Sequence, residues 1–203
     1  HSIGEQSATG GCLALTVFEG TPEHAASRHA ETSALLAARG GTSLGEGPAK
    51  GWENGRFDAP YLRDSLLSAG ALCETLETAT TWSNLATLKT GVTKALTDAL
   101  AESGTPALVM CHISHVYPTG ASLYFTIVAG QRGDVAEQWK SAKTKACDAI
   151  IANGGTITHH HAVGADHRPW MTAEVGDLGV QVMRAVKKTL DPVGILNPGK
   201  LIP

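Results

Sequence analysis

The chain has 203 residues, of which 42% are hydrophobic and 17% charged, so it can bury a globular core. A net charge of −3 and an aromatic content of 5% argue against a nucleic-acid partner, which needs a basic stripe or a stacking surface. The four cysteines are scattered without a Cys-x-x-Cys pair, which favours reduced thiols and the cytoplasm. The chain begins at His1 without a methionine, and we interpret it as a fragment of a longer protein.

The first part of the chain contains two short β-prone segments separated by a helix. Residues 12–18 are apolar and β-prone, which predicts a strand. The Thr21-Pro22 pair is typical of a helix start, and the Ala-rich stretch that follows is predicted to be helical as far as Gly40-Gly41. A short strand at 42–44 and a loop with one helical turn at 45–58 are predicted next.

The rest of the chain has hydrophobic spacing of both the helical and the alternating kind. The spacing predicts helices at 60–68, 83–102, 134–152 and 174–189, and strands at 71–78, 107–116 and 121–128, the last two joined by a turn at 117–120. Two of these helices carry an apolar stripe at helical spacing, formed by Leu85, Leu88, Val92, Leu96 and Leu100 in the second and by Val175, Leu178, Val182 and Val186 in the fourth. Hairpins and long crossovers in one chain predict a single α+β domain in which helices cover a mainly antiparallel sheet.

Three consecutive histidines, His159, His160 and His161, form the most informative motif, which we call the histidine tract. Histidine is the side chain whose ordinary pKa lies closest to neutrality, and the flanking glycines allow a ligand to approach the backbone. In an extended tract, His159 and His161 share one face and His160 points to the other.

Three functions are open to this tract. A metal site would need a third ligand from elsewhere, such as His112 or His115. A purely structural role is less favoured, because three adjacent imidazoles are costly to bury without a task. The sequence therefore favours acid/base or ligand-binding work.

Two further polar residues have the chemistry of a site. Arg63 lies on an amphipathic segment and could hold a phosphate or carboxylate, but the sequence alone favours a solvated arginine paired with Asp64 or Asp58. Tyr124 falls on the polar side of an alternating strand, where it is either a proton relay or an ordinary strand residue.

The segment 191–200 contains two turn-forming dipeptides and a lysine. Its backbone amides and Lys200 are candidates to meet an anionic or polar cofactor edge, and the alternative is a chain end held by turns. No Gly-x-Gly-x-x-Gly, Walker or Gly-x-Ser-x-Gly sequence is present, so no nucleotide-binding domain is predicted in this chain.

Five motifs occur along the chain in a fixed order. They are Tyr61-Leu62-Arg63-Asp64, Glu74-Thr75-Leu76-Glu77-Thr78, Gly120-Ala121-Ser122-Leu123-Tyr124-Phe125, the run from Asn153 to Gly164 and the run from Asp191 to Lys200. Together they resemble the C-terminal cap domain of FAD-linked oxidases of the vanillyl-alcohol-oxidase type, in the branch of the alkyldihydroxyacetonephosphate synthases. The resemblance covers residues 12–203.

The resemblance implies a ferredoxin-like cap domain that places the substrate against FAD, while an N-terminal FAD-binding domain, absent from this chain, binds most of the cofactor. In the synthase branch, the acyl group of acyl-dihydroxyacetone phosphate is exchanged for a long-chain alcohol without net redox change. The chain alone is therefore expected to be inactive.

The resemblance also implies roles for individual residues. They are catalysis for Tyr124, His160 and His161, substrate binding for Arg63 and His159, and cofactor binding for His161, Asn197 and Lys200. These roles are chemically reasonable, because phenols and imidazoles transfer protons while a fixed cation binds negative charge.

The main alternative is an FAD-dependent dehydrogenase of a 2-hydroxyacid or an alcohol. Its metal-binding members carry a histidine and a glutamate where this chain has Tyr124 and His160, so we expect no metal. A non-catalytic α+β interaction module is the second alternative.

Ala165 stands where the synthase branch commonly has a basic residue, and we expect His167 or Arg168 to supply the missing positive charge.

The expected partners of the parent protein are its own N-terminal FAD-binding domain and a small-molecule or lipid-like substrate, with no nucleic acid. A cytoplasmic location with peripheral association to a membrane surface is expected, and so is a homodimer.

Overall fold

The computed structural model describes residues 13–203, and the chain divides into two compact units, which meet in sequence between Leu62 and Arg63. Helices occupy the described part of the first unit, and the second unit adds a three-stranded antiparallel sheet, so the fold is α+β as predicted. No helix in the described part is long and apolar enough to cross a membrane.

The helices of the first unit bury none of their described residues. They are α1 (Pro22–Ala38), α2 (Gly47–Gly55) and the start of α3 (Ala59–Ser68), which continues into the second unit. Helix α1 begins as predicted, because the Thr21 hydroxyl accepts a hydrogen bond from the backbone N–H of His24 at 3.4 Å. None of residues 13–62 is buried, so the described part of this unit has no core of its own.

Both strands predicted in the first unit are wrong where the structure describes them. Residues 13–18 and 42–44 are irregular, and Cys12 lies outside the described residues. A strand needs a neighbour to accept and donate its ladder hydrogen bonds, and β-prone composition does not supply one. The segment 45–58, predicted to be a loop with a helical turn, instead contains the nine-residue helix α2.

The second unit follows the predicted order of elements. Its members are β1 (Ala71–Thr81), α4 (Leu85–Glu102), β2 (Leu108–Val116), β3 (Gly120–Gly130), α5 (Val135–Ala152) and α6 (Met171–Leu190). The strand order is β1-β3-β2, with antiparallel pairing throughout. Helix α6 is kinked at Gly176, where φ is +72°.

The main core lies between one face of this sheet and the helices α4 and α5. Alternation along β3 places Leu123, Phe125 and Ile127 on this face, and all three are buried. The leucine stripe of α4 predicted from the sequence packs against them, with Leu88 and Leu96 fully buried. We call the opposite face of the sheet the polar face, and it is the face that presents Tyr124.

None of the three described cysteines, Cys73, Cys111 and Cys147, is in a disulfide, and Cys73 and Cys147 are buried as predicted. Their reduced state stays a prediction. Burial raises the pKa of Cys147 to about 12, so this side chain stays protonated and serves as a small core residue.

Gly120 opens β3 where β1 approaches most closely. A Cβ atom at this position would lie 2.1 Å from the Thr80 carbonyl oxygen, which is backbone and has little freedom to move. We expect Gly120→Ala to lower the free energy of unfolding by about 2–3 kcal/mol, measured by urea denaturation. Gly130→Ala, at the other end of the same strand, is the matched control, because its Cβ would meet Thr105 at an ordinary 3.7 Å. Equal stability of the two variants would contradict the expected clash.

Candidate active site

The polar face carries a row of three polar side chains across the sheet. Tyr124 on β3 pairs with Glu77 on β1 and with His112 on β2. Cross-strand partners lie side by side on one face, so this register places a phenol next to a carboxylate and an imidazole. Ser122, two residues before Tyr124, lies on the same face and is fully buried.

The histidine tract reaches this face from the free edge of β1. The preceding segment, residues 153–158, runs beside that edge, where the Thr156 N–H donates to the Ala79 carbonyl at 3.0 Å. The Thr78 hydroxyl donates to the Thr156 carbonyl at 2.6 Å. The segment thereby satisfies backbone groups that an edge strand otherwise leaves unpaired, and its position relative to β1 is fixed.

Helix α6 holds the same segment from the other side. The Glu174 carboxylate accepts hydrogen bonds from the Thr156 hydroxyl at 2.5 Å and from the Ile157 N–H at 2.9 Å. Ile157 is buried against Cys147 and Met171 in a second apolar cluster. The tract therefore starts from an anchored residue.

The tract itself is a tight turn and not an extended segment. The His161 N–H donates to the His159 carbonyl at 2.7 Å, and His160 between them has φ +58°. A side chain other than glycine in this left-handed region is strained, and such strain is commonly found at functional sites. His159 and His161 nevertheless both face the sheet, because the turn folds them towards the same carboxylate.

That carboxylate belongs to Glu77, which is only 4% exposed. The Ser114 hydroxyl donates to its Oε1 at 2.5 Å, and Ser114 is itself 2.6 Å from the Ser122 hydroxyl. Burial alone would raise the pKa of Glu77, but the hydrogen bond from Ser114 and the neighbouring polar groups of His159 and Ser122 outweigh it and lower the pKa below its ordinary value. Glu77 is therefore ionised at neutral pH.

Three imidazoles surround the Glu77 carboxylate. His159 Nδ1 lies 3.3 Å and His115 Nδ1 3.5 Å from Oε1, while His161 Nε2 lies 3.9 Å from Oε2. A buried anion between ring nitrogens fixes both the orientation and the tautomer of the rings. Glu77 is thus the centre of the site, although the sequence analysis gave it no role.

Tyr117 holds the other side of the His159 ring, with its hydroxyl 3.1 Å from Nε2. Within the described part of the chain, His159 Nδ1 is the buried side-chain atom without a well-aligned hydrogen bond, and the Glu77 oxygen is its near neighbour. A proton on Nδ1 facing the carboxylate leaves Nε2 to accept from Tyr117. The ring is therefore held between a carboxylate and a phenol.

His160 turns away from Glu77 and packs on His115, with ring centroids 4.4 Å apart. One nitrogen from each of His115, His159 and His160 lies within 4.8 Å of the other two, and imidazole is a common metal ligand. Of the two outside ligands that the sequence suggested for a metal, the structure places His115 at the tract. The expectation of no metal stays a prediction.

Tyr124 contacts His161 edge to face, with ring centroids 5.7 Å apart and an interplanar angle of 82°. The predicted catalytic pair of phenol and imidazole is therefore brought together. The His161 side chain keeps 39% of its surface exposed, so a ligand on the polar face can reach it.

Arg63 is held elsewhere. Its guanidinium lies 3.1 Å from Glu74, not from Asp64 or Asp58 as the sequence favoured. Glu74 pairs with the core residue Ile127, so alternation places it on the opposite face of β1 from Glu77. Among the described residues, Arg63 has no recorded contact with the histidine tract, and its role in anion binding stays a prediction.

The C-terminal segment returns to the tract through backbone contacts. The Leu201 N–H donates to the Gly164 carbonyl at 2.8 Å, and the Arg168 guanidinium donates to the Gly199 carbonyl at 3.1 Å. These bonds place Lys200 in an open cleft of about 370 Å³ that His161 also lines. Of the two cofactor-binding candidates in this segment, Lys200 thus reaches the tract, whereas Asn197 is exposed and absent from the cleft lining.

Asp191 explains why this segment turns. Its carboxylate pairs with Lys187 and accepts backbone N–H groups of Gly194, Ile195 and Leu196. The Lys187 hydrogen bond and these amides lower the pKa of Asp191 to about 2, so the turn stays intact across the physiological range.

Four residues of the site were not predicted from the sequence: Glu77, Ser114, Ser122 and Tyr117. Glu74 and Glu77 are three residues apart in β1, so their side chains lie on opposite faces of the sheet and one of them must face away from the core. Only the strand register shows that Glu77 is that residue and that it lies beside Tyr124. Tyr117 lay in a segment interpreted as a turn, and its contact with His159 spans 42 residues.

Comparison with known proteins gives the same assignment as the five motifs. The family described as "FAD linked oxidases, C-terminal domain" matches residues 4–201, nearly the whole chain. The chain belongs to this family. Members of this family are domains of FAD-linked enzymes, so the cofactor implied for the parent protein is FAD.

Within the family, the chain is similar to alkyldihydroxyacetonephosphate synthases. It is 36% identical over 194 residues to the enzyme of Dictyostelium discoideum and 34% identical over 192 residues to that of Trypanosoma brucei brucei. These matches cover 95% and 94% of this chain, but 32% and 31% of the relatives. A solved structure of an alkyldihydroxyacetonephosphate synthase matches 89% of this chain and 30% of its own, with a TM-score of 0.60 and 29% identity. The chain thus spans about a third of the length of these relatives.

Proposed function

We propose that this domain is the catalytic and substrate-binding cap of an FAD-dependent enzyme that makes an ether bond on dihydroxyacetone phosphate. In this reaction a long-chain alcohol replaces the fatty acyl group of acyl-dihydroxyacetone phosphate, and the fatty acid leaves. The observation that carries the proposal is the buried Glu77 carboxylate, which holds His159 and His161 beside Tyr124 on the polar face. Similarity to the synthases over most of the domain supports the choice of substrate.

The residues of this chain supply proton transfer. Forming the ether bond requires the hydroxyl of the incoming alcohol to lose a proton, and the departing fatty acid carboxylate takes one up. The Tyr124 phenol and the His161 imidazole lie together on the polar face and are positioned to accept and return these protons. Glu77 stays ionised and keeps His159 and His161 in fixed orientations, so the rings need no reorganisation during the reaction.

The polar face fits the exposed edge of a flavin. Tyr124 is half-buried and His161 is exposed there, and Lys200 lies in the adjoining cleft. His161, Lys200 and Asn197 would contact the cofactor, whereas most FAD contacts come from an N-terminal domain of the parent protein. When bound, FAD supplies the electron acceptor and donor that make an overall redox-neutral exchange feasible.

An exposed apolar stripe on α6 supports that N-terminal partner. Leu178, Val182 and Val186 follow the helical spacing predicted from the sequence, and Val175 precedes the kink at Gly176, yet between 41% and 73% of each residue is exposed. Several exposed apolar side chains on one helix are typical of an interface, and relatives of this chain are about three times as long. The rest of the parent protein is the partner we propose for this stripe.

The test uses the full-length, FAD-containing parent protein with acyl-dihydroxyacetone phosphate and a labelled long-chain alcohol. We expect labelled ether product and free fatty acid in equal amounts, without reduction of a dye acceptor. Dye reduction by a 2-hydroxyacid or an alcohol, without ether product, would instead identify a dehydrogenase. If His160→Ala and Tyr124→Phe leave all functions of the parent intact, the domain is an interaction module and the proposal fails.

A further inference from the structure

The cleft beside the histidine tract contains a run of backbone donors without partners. Residues 162–166 all line it. Across the part of the chain that the structure describes, none of their five N–H groups has a recorded hydrogen-bond acceptor. These residues are exposed or half-buried, so their N–H groups are open to a ligand, and successive free amides around a residue with positive φ form a favourable site for an anion. Gly164, in the middle of the run, has φ +58°.

Two lysines add positive charge to this cleft. Lys143 on α5 reaches it with a side chain that is 18% exposed, and pairs with Asp166 at 2.9 Å. Lys200 has no ion-pair partner among the described residues, although it is near enough to help lower the pKa of Asp166 after the larger effect of Lys143. One positive charge is therefore left uncompensated beside five free N–H groups.

These lysines also supply the positive charge that is missing at position 165, where this chain has Ala165 and the synthase branch commonly has a basic residue. From the sequence, His167 or Arg168 was expected to supply this charge. However, burial and then the neighbouring charge of Lys143 lower the pKa of His167, so its ring is neutral at pH 7. Arg168 is occupied by the Gly199 carbonyl. The cationic side chains that line the cleft are instead Lys143 and Lys200.

We propose that this cleft binds the phosphate group of an organophosphate, through the N–H groups of residues 162–166 and the Lys200 ammonium. His161 lines the same cleft and contacts Tyr124, so a phosphate bound there places the attached carbon skeleton beside the phenol and the imidazole. The phosphate belongs either to the substrate or to FAD. The assignment to the substrate rests on the proposed function, whereas phosphate binding itself does not.

The experiment compares full-length, FAD-containing wild type with Lys200→Ala, and with Lys188→Ala as the control. Lys188 is an exposed lysine of the last turn of α6 that is absent from the cleft lining. Calorimetric titration with inorganic phosphate is expected to give a Kd about tenfold higher in Lys200→Ala and unchanged in Lys188→Ala. Lys200→Arg should restore most of the affinity, since it keeps the charge.

Hydrogen–deuterium exchange provides a second measurement that needs no substitution. Inorganic phosphate should slow amide exchange in peptides that cover residues 162–166 of the wild-type protein. A phosphate Kd that is the same in Lys200→Ala and wild type, together with unchanged exchange in these peptides, overturns the proposal.

Two further readouts identify the source of the phosphate. A higher KM for acyl-dihydroxyacetone phosphate in Lys200→Ala, with full FAD content, assigns the cleft to the substrate. Loss of FAD from this variant assigns it to the cofactor. If the parent makes no ether product while Lys200→Ala still weakens phosphate binding, the proposed reaction fails and the cleft assignment stands.

Discussion

Replacing Glu77 by glutamine is expected to lower kcat of the full-length enzyme about a hundredfold at neutral pH, with KM nearly unchanged. Glutamine matches the shape of glutamate but is neutral, so His159 and His161 lose the anion that fixes their protons and orientations. We expect the free energy of unfolding to fall by only about 1–3 kcal/mol, because Ser114 still has an acceptor. Steady-state kinetics and urea denaturation measure the two effects.

The pH dependence of activity distinguishes an effect of the Glu77 charge on catalysis from an effect of the substitution on folding. Because the folded pKa of Glu77 is below its ordinary value, the carboxylate stabilises the protein at pH values above that ordinary pKa, and this contribution is lost as the pH falls through the folded pKa. Wild-type activity should therefore fall on the acid side towards the level of Glu77→Gln, whose own profile is flatter there. Glu102→Gln, in an exposed ion pair with Lys145, is the matched control and should behave as wild type. If the kcat of Glu77→Gln equals that of the wild type, the assignment of Glu77 to the active site is wrong.

Replacing Tyr124 by phenylalanine is expected to lower kcat by a factor of about 100 or more, without loss of folding. The substitution removes one hydroxyl from the polar face and keeps the ring that contacts His161 edge to face. An interaction made only during proton transfer affects kcat and kcat/KM together, and this is the kinetic pattern we expect. Thermal denaturation should give a Tm within a few degrees of wild type.

Tyr117→Phe is the matched comparison for this prediction. It also removes a single phenolic hydroxyl, but that hydroxyl only holds the far side of the His159 ring, at 3.1 Å. We expect its kcat to fall about tenfold. A larger loss in Tyr117→Phe than in Tyr124→Phe would exchange the roles of the two tyrosines and contradict the assignment of Tyr124 to proton transfer.

The fold was predicted best where one short-range pattern determines the local structure. The Thr21-Pro22 pair marks the start of α1, and the leucine spacing of α4 marks its buried stripe, because both depend on residues within one or two turns of helix. Residues 13–18 have the composition of a strand but no neighbouring strand, and pairing is a property of the whole chain. The apolar stripe of α6 was predicted from its spacing, but its residues are exposed in the described part of the chain.

The candidate site was predicted in its chemistry but not in its arrangement. Tyr124, His159, His160 and His161 were identified by residue type and by resemblance, and the structure brings them together. Glu77 was missed because an acidic residue in a strand is ordinarily solvated, and its burial results from contacts with residues 37 to 84 positions away. No local pattern contains such contacts.

The sequence by itself determined the class of the domain, the order of its elements in the second unit and the kinds of group that its site uses. These depend on side-chain chemistry and on periodicity, which are readable one segment at a time. Only the tertiary structure decided which carboxylate meets the histidines, that His160 sits in a turn, and that Lys200 returns from the chain end to the cleft. The reason is physical: strand register, edge pairing and the free N–H groups of residues 162–166 are set by segments far apart in the chain, and they exist only once those segments have packed.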